Sequence, residues 1–237
     1  MDRIQVEDLN IQFGDVTAVR SATFGVRSGE VFGLLGGNGA GKSSTLRAVA
    51  GVNPVRSGRL WVAGYDMADP REVEKGRSAL GFCPDVGGLI GTATIREHIE
   101  LALSFHGRRD LTRQSHVLVD RFELGHVMDR ITGGFSHGMK RRLSVLLAAL
   151  VAQEVLVLDE PFDGVDPIGV RATLDVVNQA ASAGLAVVIS THLLSLQVQA
   201  CDRIAVMVNG TLVEAQQASA YAGEAGIEHY NDLLTAA

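Results

Sequence analysis

Apolar and polar residues alternate near the start of the chain, with Ile4 and Val6, then Ala22, Phe24 and Val26, at every second position. A period of two predicts half-buried strands. Arg27-Ser28-Gly29-Glu30 is a turn, and Val31-Phe32-Gly33-Leu34-Leu35 behind it is an apolar run short enough for a buried strand. The period then changes: Leu46, Val49 and Ala50 recur at helical spacing, with Gly51 as a stop. Residues 59–64 and 80–83 read as short strands, the second ended by Pro84. Ile95, Ile99 and Leu103 share one face of a helix over 94–106, and 111–122 is a second helix. Residues 87–154 are therefore expected to be mostly helical and separate from the αβ segments on either side. Beyond them, 155–158 reads as a strand, 167–183 as a helix with Pro167 near its start, and 186–189 as a strand followed by a short helix from Leu193. Asn209-Gly210 between Ile204–Val208 and Thr211–Val213 predicts a hairpin. From Gln216 onward the chain is Ala-rich and polar, which predicts a helical tail. No internal repeat or low-complexity segment stands out.

Composition narrows the class. The 237 residues are 46% hydrophobic and 20% charged, enough to build a core in one large domain or two small ones. A formal net charge of -6 argues against a nucleic-acid partner, which would select a basic face. Cys83 and Cys201 form no Cys-x-x-Cys pair and are expected to be reduced, buried, small apolar residues. The most apolar stretch, residues 143–158, is interrupted by Ser144, Gln153 and Glu154 and is too short to cross a bilayer. Met1-Asp2-Arg3 followed by alternation is not a signal-peptide pattern, so a cytoplasmic protein is expected.

The chemistry is concentrated in a few segments. Gly36-Gly37-Asn38-Gly39-Ala40-Gly41-Lys42-Ser43 fits the phosphate-binding loop G-x-x-x-x-G-K-[ST], between a strand and a helix as that loop requires. Its glycines allow backbone N–H groups to curl around phosphate, and the helix start adds partial positive charge. Lys42 is expected at the β- and γ-phosphates and Ser43 on Mg²⁺, with Ser44 completing the loop. Val155-Leu156-Val157-Leu158-Asp159-Glu160 delivers two carboxylates to the end of an apolar strand, where open αβ sheets bind ligands. Asp159 suits the Mg²⁺ shell and Glu160 a general base for an attacking water. His192 closes another apolar strand, from which it could contact the γ-phosphate. Ser136 and Gly138 precede a long apolar helix whose Lys140, Arg141 and Arg142 oppose the helix dipole, an arrangement suited to a helix start facing an anion.

In this order the segments resemble the ATPase subunit of an ATP-binding-cassette (ABC) transporter over about residues 2–215. The series runs phosphate loop, Ser136-His137-Gly138 signature, Leu158-Asp159-Glu160-Pro161, the loop from Asp163 to Asp166, then His192. The resemblance implies an α/β P-loop NTPase, with a RecA-like core, an antiparallel β subdomain and an inserted helical subdomain. It implies a single domain over 1–215, with its nucleotide-binding core at 1–86 and 155–215 and its helical subdomain at 87–154, and a C-terminal tail over 216–237. ATP and Mg²⁺ are the implied ligands. A second copy of the ATPase and transmembrane permease subunits are the implied partners, at the inner face of the cell membrane. Two ATP molecules would lie between phosphate loop and signature of opposite subunits, so Ser136 and Gly138 would act in trans. Phe13, followed by Gly14, stands where the family stacks an aromatic on adenine. Details such as Phe162-Asp163-Gly164-Val165-Asp166-Pro167 most resemble export ATPases for drugs, antibiotics or lipids.

Three positions depart from the family pattern. Gly37 replaces a frequent proline, His137 replaces glycine or leucine, and Asp85 replaces a glutamine or glutamate that touches Mg²⁺ or water. Aspartate keeps an oxygen ligand, shortens the reach and adds negative charge. A soluble ATPase of the same family, working on metal clusters or nucleic acid, and a weakly hydrolysing nucleotide switch stay open as alternatives.

Overall fold

The computed structural model describes residues 1–236, so Ala237 of the expected tail lies outside the described residues. Strands β1 (Asp2–Phe13) and β2 (Val16–Arg27) form a long antiparallel hairpin, and β3 (Val31–Leu35) follows the turn at Gly29. Next come α1 (Lys42–Val49), β4 (Ser57–Val62), β5 (Tyr65–Asp66), α2 (Val73–Ala79) and β6 (Leu80–Cys83). Three helices occupy the middle of the chain: α3 (Ile95–Phe105), α4 (Thr112–Arg121) and α5 (His137–Val151). The remaining elements are β7 (Val155–Asp159), α6 (Pro167–Ser182), β8 (Ala186–Thr191), α7 (Leu194–Ala200), β9 (Arg203–Val208), β10 (Thr211–Gln217) and α8 (Gly223–Ala236).

Two sheets result. A four-stranded antiparallel sheet has the order β2-β1-β4-β5, and a six-stranded sheet the order β10-β9-β3-β8-β7-β6. In the second, β6, β7, β8, β3 and β9 are parallel and only the edge strand β10 is antiparallel. Parallel strands in mid-sheet are buried on both faces, which is why β3, β7 and β8 run apolar instead of alternating until the polar ends of β7 and β8. One face packs through Phe32, Leu34, Val157 and Val188 onto α1 and the antiparallel sheet. The other packs through Leu156, Leu158 and Ile189 onto α5 and α6.

The period-two and apolar-run segments all form strands, and the two predicted helices of the middle region form as α3 and α4. Helix α3 starts on a full capping box: the Thr94 hydroxyl accepts from the Glu97 N–H while the Glu97 carboxylate accepts from the Thr94 N–H. The seven residues of α2 were not foreseen, because they contain Gly76 and are too short to show a period. Cys83 is buried as expected, and burial pushes its thiol pKa up to about 12. Cys201 is only partly buried, because it ends α7 and its thiol donates to Gln197 Oε1 at 3.0 Å.

The tail segment folds back onto the sheet. Tyr221 and Tyr230 join Leu35, Ile204 and Val206 in one apolar cluster. Glu214 Oε1 on β10 fixes the return, accepting from the Tyr221 hydroxyl at 2.6 Å and lying 2.7 Å from His229 Nε2.

Contact between β6 and α5 is close enough to require glycine. A Cβ on Gly81 would lie 1.9 Å from the Ala148 carbonyl oxygen and 3.1 Å from the Ala152 Cβ. Gly81→Ala is expected to push α5 off the sheet, costing about 1–3 kcal/mol and lowering the Tm by several degrees. A thermal melt superimposable on the parent's would refute this packing.

Candidate functional site

The parallel strands all end on the same side of the sheet, and at the ends of β3, β7, β8 and β6 a cleft of about 660 Å³ opens. Residues 38–44 of the phosphate-binding loop line it, together with Asp85, Glu160, Asp163 and His192. The loop turns into α1 at Gly41, whose φ of +101° is open to glycine and strained for other residues. A Cβ at Gly41 would also lie 2.6 Å from the Ala18 carbonyl oxygen, so packing as well as conformation selects glycine. Gly37 differs: a Cβ there meets nothing within 4 Å. The position where the family often carries proline has room for a side chain.

Lys42 is 5% exposed. Its ammonium donates to the carbonyl oxygens of Gly36 at 2.8 Å and Gly37 at 3.1 Å, and lies 3.2 Å from Glu160 Oε1. His192 Nδ1 lies 3.1 Å from the other carboxylate oxygen, Glu160 Oε2. Glu160 is thus held from both sides, one oxygen by the loop lysine and one by the histidine after β8. Its backbone is also constrained. Glu160 has φ +47°, a left-handed conformation uncommon outside glycine, and its N–H donates to the Ser190 carbonyl at 3.1 Å and the Ser190 hydroxyl at 3.0 Å. Such strain persists only where the surroundings over-determine it, and here the parallel partner strand does so.

Asp159 is fully buried. Its Oδ1 accepts from the Ser190 hydroxyl at 2.6 Å and the Ser43 hydroxyl at 3.0 Å, while Oδ2 is buried without a hydrogen-bond partner. Burial raises its pKa, and the two hydroxyl hydrogen bonds partly offset that. A buried carboxylate oxygen without a donor, beside a serine hydroxyl, fits a small hard cation. No group of three or more His, Cys, Asp or Glu able to hold a metal occurs among the described residues. Magnesium would therefore be held by Ser43 and Asp159 together with substrate phosphates, as Mg²⁺ prefers.

Other expected residues lie elsewhere. Phe13 is half exposed and outside the cleft lining, although it pairs across the hairpin with Val16, which does line it. Ser136 and Gly138 are absent from the lining as well. The Ser136 hydroxyl caps α5, accepting from the Met139 N–H at 3.2 Å, and Gly138 packs where a Cβ would lie 2.7 Å from the Gly164 carbonyl oxygen. The two arginines at the start of α5 are taken up by groups of this chain. Arg141 turns inward to the carbonyls that end β6 and β7, and Arg142 donates to the Phe122 carbonyl at 3.1 Å. The cost of their charge near a helix start is offset by carbonyl oxygens and acids of this chain. In the sequence Asp163 has a place in the motif series and no role, and Ser190 has no role. Asp163 lines the cleft and faces His137 Nε2 at 3.3 Å; Ser190 binds both Asp159 and the Glu160 N–H. Ser190 stood one residue before the histidine that drew notice, and its pairing with Asp159 needs the register of β7 on β8.

The raised pKa of Asp159 gives a test. Folded chain holds this proton more tightly than unfolded chain, so the carboxyl's contribution is greatest below the ordinary carboxylate range and is lost as pH rises through the folded value. Without magnesium or nucleotide, Asp159→Asn is expected to lose less stability than the parent as pH rises above the ordinary carboxylate range. The same variant loses magnesium-dependent stabilisation by ATP. Parallel Tm-against-pH curves for the two proteins would refute the burial argument.

A family model described as ABC transporter matches residues 19–163. The chain is 32% identical over 213 residues to the linearmycin resistance ATP-binding protein LnrL of Bacillus subtilis (strain 168), covering 89% of this chain and 68% of that protein. It is 33% identical over 218 residues to ATP-binding cassette sub-family A member 2 of Homo sapiens, covering 89% of this chain but only 9% of that much longer protein. A solved ATP-binding subunit of an ABC transporter superposes with a TM-score of 0.88 at 28% identity, over 98% of this chain and 99% of the other. With most of its cleft built by the segments so matched, the chain belongs to the ABC transporter family, as one of its ATP-binding, ATP-hydrolysing domains.

Proposed function

We propose that this chain powers an exporter, closing head-to-tail on a second copy around two ATP molecules and hydrolysing them. The observation that carries the reading is Glu160, held on one oxygen by Lys42 and on the other by His192 at the rim of the phosphate-loop cleft. Lys42 is the cation for the β- and γ-phosphates. Glu160 accepts a proton from water as that water's oxygen attacks the γ-phosphorus and the bond to the ADP oxygen breaks. His192 orients the carboxylate and is in reach of the γ-phosphate. Ser43 and Asp159 would hold magnesium, which would supply charge stabilisation for the phosphoryl oxygens. Ser136 and Gly138 lie outside their own cleft and can serve one only across a dimer, and a second copy is the natural donor. Phe13 sits beside Val16 at the rim, a place from which an aromatic ring can stack on a base.

A membrane partner is supported by a second surface. A groove of about 330 Å³ between β6, α3 and α5 is flanked by the exposed apolar side chains of Val52, Ile90, Leu101 and Phe105, the last 81% exposed. Exposed apolar clusters of this kind mark interaction sites. No helix among the described residues is long and apolar enough to cross a membrane, so spanning segments would be contributed by the partner. The resistance protein among the relatives favours export.

Glu160→Gln is expected to lower phosphate release by about 10²–10⁴-fold while ATP binding and dimer formation persist. Parental turnover in that variant would remove Glu160 from the proton-accepting role. Phe105→Glu is expected to weaken co-purification with membrane subunits, and undiminished recovery of them would take the groove out of the proposal.

A further inference from the structure

Asp85, where the family resemblance leads one to expect glutamine or glutamate, is shared by the nucleotide cleft and the cavity next to it. It lines the nucleotide cleft and, among the described residues, is the sole member of that lining that also lines a neighbouring cavity of about 310 Å³, with His137, Lys140 and Arg141 at the start of α5. Between the cavities stands Arg141, whose side chain is 4% exposed. One nitrogen, Nη1, donates to the Pro84 carbonyl at 2.7 Å and the Asp159 carbonyl at 3.3 Å. The other, Nη2, donates to the Asp85 carbonyl and lies 3.1 Å from Asp85 Oδ1. Arg141 therefore fastens the ends of β6 and β7 to α5, and Asp85 is the carboxylate that balances its charge. A buried guanidinium needs such a counter-charge, since carbonyl dipoles alone leave it uncompensated. The glutamine expected from the family could offer Arg141 a hydrogen bond and no charge.

Asp85 also lines the cleft that holds Lys42, Ser43 and Glu160, and its side chain is about one-third exposed. It cannot serve Arg141 and a cation in the cleft with equal strength. We propose that the Asp85–Arg141 ion pair is the link between nucleotide cleft and signature helix in this chain: magnesium with ATP competes with Arg141 for Asp85. Arg141 is thereby a positioning residue for α5, and the pair reports occupancy of the cleft to the segment carrying Ser136 and Gly138. This rests on the ATP-binding reading above.

Two measurements on the purified chain test it. The first is a double-mutant cycle in Tm, without nucleotide, on Asp85→Asn, Arg141→Gln and the pair together. Each single variant is expected to melt about 2–4 °C or more below the parent, and the double variant clearly above the sum of the two losses. Additive losses overturn the ion pair. The second measures binding of a fluorescent ATP analogue against magnesium concentration. Arg141→Gln is expected to lower the half-saturating magnesium about threefold or more, and to do nothing further in the Asp85→Asn background. An unchanged magnesium requirement in Arg141→Gln overturns the competition. Should Arg141→Gln fail to fold, Arg141→Lys replaces it; it keeps the charge, loses the fork, and is expected to shift magnesium in the same direction. If the parent does not bind the analogue, the ATP-binding reading fails, while the thermal cycle still decides whether the pair exists.

Discussion

The site depends on the parallel register of β7 on β8. Asp159 stands opposite Ser190 in that ladder, and Leu35, the last residue of β3, stands opposite Thr191. This alignment brings a serine hydroxyl within 2.6 Å of a fully buried carboxylate and sets the phosphate loop at the same level. It also supplies the carbonyl and hydroxyl that hold Glu160 in its left-handed backbone. A slip of one residue would turn every side chain to the opposite face and leave Asp159 buried without its donors. Apolar packing on both faces of the sheet specifies the register, so the core and the chemistry are set by the same pairing.

Polar groups in and beside the cleft are held by one another. Lys42 and His192 face Glu160 in the cleft, and at its border Arg141 faces Asp85 and His137 faces Asp163. The groups that could meet phosphate or water thus already have partners in the chain, whereas Asp159 Oδ2, placed for a metal, has none. Ligands entering such a site exchange one set of contacts for another, which favours discrete arrangements of the loops over gradual adjustment.

Most strands and most of the site were legible in the residues, because buried parallel strands and phosphate loops leave strong local signals. Val31–Leu35 and Val155–Leu158 could hardly be anything else, and the octet at 36–43 named its own context. What escaped was long-range. Ser190 acquires its role only through pairing with a strand about thirty residues away, and Arg141 only by reaching back to residues 84, 85 and 159. Its charge near a helix start was read as facing an external anion, when its partners are backbone carbonyls and an aspartate of the same chain. Phe13 was placed by family resemblance alone and lies outside the cleft lining, while Ser136, expected to act on a second copy, lies outside the cleft of its own.

The final helix also bears on the nucleotide loop. Its Tyr230, with Tyr221 before it, covers the cluster that contains Leu35, the residue immediately ahead of Gly36. A chain cut back to residue 215 would leave that leucine's neighbours facing water, and the foundation of the octet would soften even though no phosphate-contacting residue had been removed. What reads along the sequence as an appendage is, in three dimensions, a buttress behind the catalytic floor.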